Sequence, residues 1–226
     1  MIDFALRRDT MVESQLRPNE VTDGRLLGAM RSVPRELFVP GPLRGLAYMD
    51  ESIEVFPSVG GAPPRYLLAP MVLARLIQIA AVEPEDTVLD VGCATGYSTA
   101  VLARLAGTVT GLEPEPELAK TARRSLRDLG IDNAEIVKGA LNDGHKKQGP
   151  YDTILLNGSV PEPPQALLGQ LKAGGRLVAV IGGPDNGVQG RAYLFVRVGG
   201  DASGVPHFDA GARPLPGFAP VQHFAF

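Results

Sequence analysis

The sequence predicts an α/β protein: a Rossmann-like, doubly wound, mostly parallel sheet with helices on both faces and an N-terminal helical extension. Three observations predict it. The stretch Thr87–Gly96, TVLDVGCATG, sets an apolar, β-branched run before two glycines, the pattern of a strand buried on both faces that ends in a tight turn. YSTAVLARLA follows at once, with Val101, Leu102 and Leu105 spaced for one face of a helix. Beyond it, apolar runs alternate with helical stretches, as in a sheet wound with crossover helices.

The turn carries the chemistry. Gly92 and Gly96 let the backbone bend sharply and let a ligand approach where a Cβ would collide. The helix behind them offers the unpaired N–H groups of its first turn. Glu113 lies roughly 20 residues further on, at the end of the apolar run TVTGLE and just before Pro114, where a carboxylate can accept hydrogen bonds from both ribose hydroxyls of an adenosine-bearing ligand. The plainer alternative is a turn made by glycines alone, with Glu113 as a solvated loop acid. The small residues Gly92, Ala94 and Gly96 give G-x-A-x-G and not the dinucleotide pattern G-x-G-x-x-G, which disfavours an NAD-binding oxidoreductase.

Whole-chain properties set the bounds. A length of 226 residues suits one domain, 1–226, read as a helical lead-in (1–65), a nucleotide-binding core (66–185) and C-terminal strands (186–226). The hydrophobic share of 44% and charged share of 21% are those of an ordinary globular protein. A net charge of −3 gives no electrostatic case for nucleic acid or an anionic membrane as partner. Cys93 is the single cysteine, so no intrachain disulfide forms, and neither a signal peptide nor a bilayer-length apolar run is visible. A cytoplasmic protein is expected. His145, His207 and His223 are scattered without metal-ligand spacing, so no metal site is expected.

In chain order, Thr22 or Asp23 is placed to cap a helix through Met30, and Pro34 ends it or opens the next turn. FPSVGGAPPR (56–65) reads as an irregular loop, and Pro70–Val82 as a helix with proline at its start. TVTGLE, AEIVKG, YDTILLNG, RLVAVIG and YLFVRV are predicted strands, with helices over Pro116–Leu129 and within PEPPQALLGQLKAGG. VQHFAF is a candidate last strand. Cys93 is expected to be a buried thiol, since nothing nearby would lower its pKa. Asp152 is expected to start its strand. Asn157 sits on the carboxyl side of the sheet and either lines the cleft or makes a turn, and the same holds for Ser159.

The acidic–x–G–x–A–x–G loop resembles that of class I S-adenosylmethionine-dependent methyltransferases. VPRELFVP, AYMD, the Pro70 segment, VLDVGCATGYSTAVLARL, GPYDTILLNGSV and PQALLGQLKAGGRLVAVIG are similar, in order, to successive blocks of the protein-L-isoaspartate O-methyltransferases. This resemblance implies S-adenosylmethionine as cofactor, S-adenosylhomocysteine as product, and isoaspartyl residues of damaged proteins as partners. It implies N-terminal helices that pack over the cofactor and help form the substrate cleft, and a monomer or dimer. It also implies a cofactor site made by Asp90, Gly92, Cys93, Ala94, Gly96, Glu113, Pro114, Gly139, Ala140, Leu141 and Asn157.

Three segments depart from that pattern. The family's Thr/Ser-x-Ser-x-Pro segment reads YLLAP here, so Tyr66 and Leu68 stand where hydroxyls face the active site, and leucine donates no hydrogen bond. Ser58, in the preceding loop, is the candidate replacement for the lost hydroxyl. The family's G-D-G after the third core strand reads Gly139-Ala140-Leu141, which removes one polar contact unless Asn142 or Asp143 shifts in. Ala94 replaces the middle glycine, tolerable at negative φ and costly at positive φ. Three readings follow: an isoaspartyl methyltransferase, the same fold acting on a less polar acceptor, and a degenerate cofactor- or partner-binding relative.

Overall fold

The computed structural model describes residues 2–182 and 190–218. The lead-in begins with α1 (Phe4–Met11), continues through tighter and wider helical turns to Asn19, and re-enters helix at α2 (Gly24–Ser32). Asp23 is the cap: its carboxylate accepts from the Arg25 and Leu26 amides at 2.8 and 3.2 Å. Pro34 sits at the start of a 3-10 turn over Arg35–Phe38.

The stretch expected to be an irregular loop is bounded by strands. β1 (Ile53–Phe56) and β2 (Arg65–Leu67) pair antiparallel as a separate two-stranded hairpin, with Phe56 opposite Arg65. Ile53, Val55 and Leu67 alternate inward, a period too short to stand out beside so many glycines and prolines. α3 (Pro70–Ala80) then starts on proline, and the Asp50 carboxylate accepts from the Met71 amide at 2.9 Å.

The core alternates as expected: β3 (Thr87–Val91), α4 (Tyr97–Leu102), β4 (Thr108–Leu112), α5 (Pro116–Asp128), β5 (Ala134–Val137), β6 (Tyr151–Val160), α6 (Gln165–Leu168), β7 (Leu171–Ile181), β8 (Arg191–Val198) and β9 (Asp201–Asp209). The seven-stranded sheet runs β5-β4-β3-β6-β7-β8-β9; β5 through β7 are parallel, and β8 and β9 are antiparallel. Side chains alternate between two cores. Val88, Val109 and Val178 face α2 to α5, while Leu89, Val91, Leu112 and Leu177 face Leu141, Leu167 and Leu215.

Three elements differ from expectation. α4 is shorter than its apolar pattern, because the chain tightens after Leu102 into Arg104 N to Val101 O and Leu105 N to Leu102 O bonds. Most of PEPPQALLGQLKAGG is one helical turn followed by strand, since Leu171 already pairs with Tyr151. β9 follows a two-residue Gly199-Gly200 hairpin turn, and Gly204 and Pro206 within it obscure its strand pattern; Pro206 is at home on an edge strand. VQHFAF lies outside the described residues.

Candidate active site

The glycine turn closes on Asp90, which is fully buried at the end of β3. Its carboxylate accepts from the Ser98 and Thr99 hydroxyls at 2.7 and 2.6 Å, both in the first turn of α4, and from the Asn157 side-chain amide. Burial pushes the Asp90 carboxyl up to about 6, against the pull of those three donors. Asn157 reaches it because β6 slips register against β7 between Leu155 and Ser159, which re-aims the intervening side chains. Asn157 also donates to the Val91 carbonyl at 3.2 Å, so it both lines the cleft and braces the turn. Ser159 instead joins the C-terminal segment: its hydroxyl donates to the Ala212 carbonyl, and its amide to the Arg213 carbonyl.

Gly92 and Gly96 have φ of +75° and +92°, and Ala94 has φ of +50°. Ala94 therefore takes the costlier of the two conformations open to it. It is completely buried, and its amide donates to Glu113 at 2.9 Å. Thr95 ties the turn to the lead-in by donating to the Phe38 carbonyl at 2.7 Å, and Phe38 meets the Tyr97 ring edge-on. Cys93 is buried beneath the turn, where burial pushes its thiol well up and keeps it inert.

Glu113 is neither solvated nor free. Arg65 donates to it at 2.6 Å, and the Ala94 and Glu115 amides donate at 2.9 and 3.2 Å. The same guanidinium donates to the Gly92 carbonyl at 3.1 Å. Burial raises the Glu113 carboxyl above its ordinary value, opposed chiefly by Arg65. The plainer alternative of a solvated loop acid does not hold: Glu113 is buried, and a buried cation from β2 sits on it. Nothing in the sequence links Arg65 to Glu113, 48 positions apart, so this partner was not readable.

Other walls close around the turn. A Cβ on Gly92 would stand 2.8 Å from Leu215, 3.1 Å from Arg65 and 3.5 Å from Leu141. Leu141 is buried in the second core, while Asn142 and Asp143 are exposed and Gly139 and Ala140 lie toward the surface. Neither polar residue shifts in. Pro114 is half-buried beside Glu113. Leu68 and Tyr66 line a narrow cleft with Arg65, Asn157 and Leu215; it encloses about 10 Å³, enough for about one water. Ser58 is not part of it. That hydroxyl is exposed at the hairpin tip and donates to the Ala62 carbonyl at 3.0 Å, so the idea that it replaces the lost serine is corrected.

Arg35 is the other residue the sequence did not single out. It is fully buried, donates to the Ala47 and Leu68 carbonyls at 2.8 and 2.7 Å, and lies 4.6 Å from the Tyr97 ring centroid. Its position inside VPRE was visible, but its hold on the YLLAP backbone was not. Among the described residues no group of three or more His, Cys, Asp or Glu is placed to hold a metal ion, and no helix is long and apolar enough to cross a membrane.

The profile of the protein-L-isoaspartate(D-aspartate) O-methyltransferase family matches residues 7–198. The chain belongs to this family. A Koribacter versatilis protein-L-isoaspartate O-methyltransferase is 38% identical over 182 residues, covering 80% of this chain and 79% of that one. A Methanoculleus marisnigri counterpart is 37% identical over 175 residues, with 77% of each chain covered. Among solved structures, a protein-L-isoaspartate O-methyltransferase superposes with TM-score 0.80 at 25% identity over 93% of this chain and 66% of its own length. A Plasmodium falciparum relative in complex with S-adenosyl-L-homocysteine gives TM-score 0.72 at 22% identity, over 91% of this chain and 96% of its own, which shows the shared fold. The fold is shared over 93% of this chain, and Tyr66, Leu68, Ala94, Ala140 and Leu141, the positions at which the sequence was read as departing from the family pattern, lie within it.

Proposed function

We propose that the chain is an S-adenosylmethionine-dependent methyltransferase that esterifies the free carboxylate of isoaspartyl residues in damaged proteins. The observation that carries this reading is the family match over residues 7–198, with its strand–turn–helix built on Asp90, Gly92 and Gly96. Glycines at positive φ, a first helical turn behind them and a carboxylate at Glu113 support a donor site at this turn. The space in front of the turn is filled by Arg65, Leu141 and Leu215, so binding requires those side chains to move.

In this reading Asp90, Gly92, Cys93, Ala94 and Gly96 form the loop against which the donor rests, and Glu113 would accept its ribose hydroxyls. Pro114, Gly139, Ala140 and Leu141 would flank the adenine side. The bound donor supplies a methyl group already activated on a sulfonium. The chain's own residues then act by positioning. Asn157 and Asp90 hold the turn rigid, and Leu68 and Tyr66 wall the acceptor side and exclude water. An α-carboxylate, with a reference pKa of about 3.5, is ionised at neutral pH and needs no general base. The lead-in (1–65) would cover the acceptor side of the core.

A second reading is favoured by one observation. Leu68 is buried and apolar where a hydroxyl would meet a carboxylate, which suits the same transfer to a less polar acceptor. Transfer of labelled methyl from S-adenosylmethionine to matched isoaspartyl and aspartyl peptides separates the two. Selective labelling of the isoaspartyl peptide supports the first reading; cofactor binding with no labelling of either peptide overturns it in favour of another acceptor or of a catalytically degenerate relative.

A further inference from the structure

We propose that Arg65 sets the affinity of the donor site by competing, from within the chain, for the Glu113 carboxylate and the Gly92 carbonyl. The inference rests on the methyltransferase reading. Arg65 is 4% exposed and Glu113 0%, so their contact is closed to water, and the carboxylate's other donors are the backbone amides of Ala94 and Glu115. One guanidinium edge serves both acceptors, at 2.6 and 3.1 Å. A ribose cis-diol likewise presents two hydroxyl donors side by side, and only one of the two groups can face the turn at a time.

Arg65 is placed to leave. It is the first residue of β2, next to a hairpin tip whose residues Pro57–Gly61 are exposed. The base of the hairpin is fixed independently: Arg35 holds the Ala47 and Leu68 carbonyls, and Asp50 holds the Met71 amide. The pairs Ile53 with Leu67 and Glu54 with Tyr66 need not break when the Arg65 side chain withdraws toward the tip. The buried pair also sets how often that withdrawal occurs. The pair adds little net stability to the fold, but withdrawal of Arg65 alone leaves the Glu113 carboxylate buried without its cation, so the withdrawn form is a minor one until a ligand's hydroxyls replace the guanidinium.

The consequence is a reduced apparent affinity. A ligand that binds only the form with Arg65 withdrawn has its dissociation constant raised by the inverse of that form's population. If the withdrawn form is one molecule in ten or fewer, removal of the side chain tightens binding about tenfold or more. A gain of binding on truncation is a result that loss of folding does not imitate.

The test is calorimetric titration of S-adenosylhomocysteine into the wild-type protein and Arg65→Ala, with hydrogen exchange of the wild-type Arg65 guanidinium followed by NMR. The expected result is binding about tenfold or more tighter in the variant, and guanidinium protons protected without ligand and released at saturation. Equal or weaker binding by a folded variant overturns the proposal, as does an Arg65 that stays protected with ligand bound. Should Arg65→Ala not fold, the exchange measurement on wild type decides alone. Absence of binding by both proteins also overturns it, and methyl transfer to the isoaspartyl peptide by the same wild-type preparation then shows whether the family reading falls with it.

Discussion

Asn157 donates its side-chain amide to the Asp90 carboxylate and so joins the ends of β3 and β6 behind the glycine turn. The contact completes a three-donor cage, with Ser98 and Thr99, around an acid that is fully buried. Such a group is costly when charged, and its folded-state pKa of about 6 lies above the ordinary 3.8.

The pH dependence of stability follows in sign. Between about pH 4 and 6 the folded protein holds a proton on Asp90 that the unfolded chain has released. Stability from this group therefore falls as pH rises through that window, by on the order of 2–3 kcal/mol, and the loss is complete above it. Asp90→Asn should flatten that part of the curve. Chemical denaturation of both proteins from pH 4 to 7 checks it: parallel curves would show that Asp90 titrates normally.

Ala94, at φ of +50°, bears strain that glycine would not. Relief of about 1–2 kcal/mol in Ala94→Gly is offset by the greater backbone freedom of glycine when unfolded and by the loss of a buried methyl, so a net change under about 1 kcal/mol is expected. Ala94→Val should instead destabilise by more than about 2 kcal/mol, because a β-branched side chain is poorly tolerated in the left-handed region. Urea midpoints of the two variants distinguish strain at this residue from ordinary core packing.

Arg35→Ala should cost roughly 3 kcal/mol or more. It leaves the Ala47 and Leu68 carbonyls unpaired, removes the cation over Tyr97 and opens a cavity. A thermal midpoint within a degree or two of wild type would show that the guanidinium is not holding the base of the hairpin.

Ser58→Ala should leave transfer to any accepted substrate within about twofold, because the hydroxyl is exposed and spends its hydrogen bond on Ala62. The rate at saturating donor is the measurement, and a tenfold fall would return Ser58 to the acceptor side.

The local code was strong enough for the turn and its strands. TVLDVGCATG reads as strand and turn because burial on both faces demands an unbroken apolar run and a tight bend demands glycine, and both are properties of neighbours in sequence. The hydroxyls of Ser98 and Thr99 were in plain view eight and nine positions after Asp90, a separation that only the folded turn makes meaningful. β1 and β2 were hidden because a short hairpin draws its stability from the core beneath it and not from its own pattern.

By itself, the sequence determined the α/β class, the order of the core strands along the chain, the position of the turn and the family blocks that surround it. Those depend on period, propensity and spacing, which act over a few residues. Only the tertiary structure decided that Ala94 takes positive φ, that Asn157 braces Asp90, and that Leu215 and Leu141 pack against Gly92. Above all it decided that Glu113 faces Arg65. A carboxylate has no preference in sequence for one cation among many, and the choice is made where the fold removes water and leaves a single guanidinium within reach.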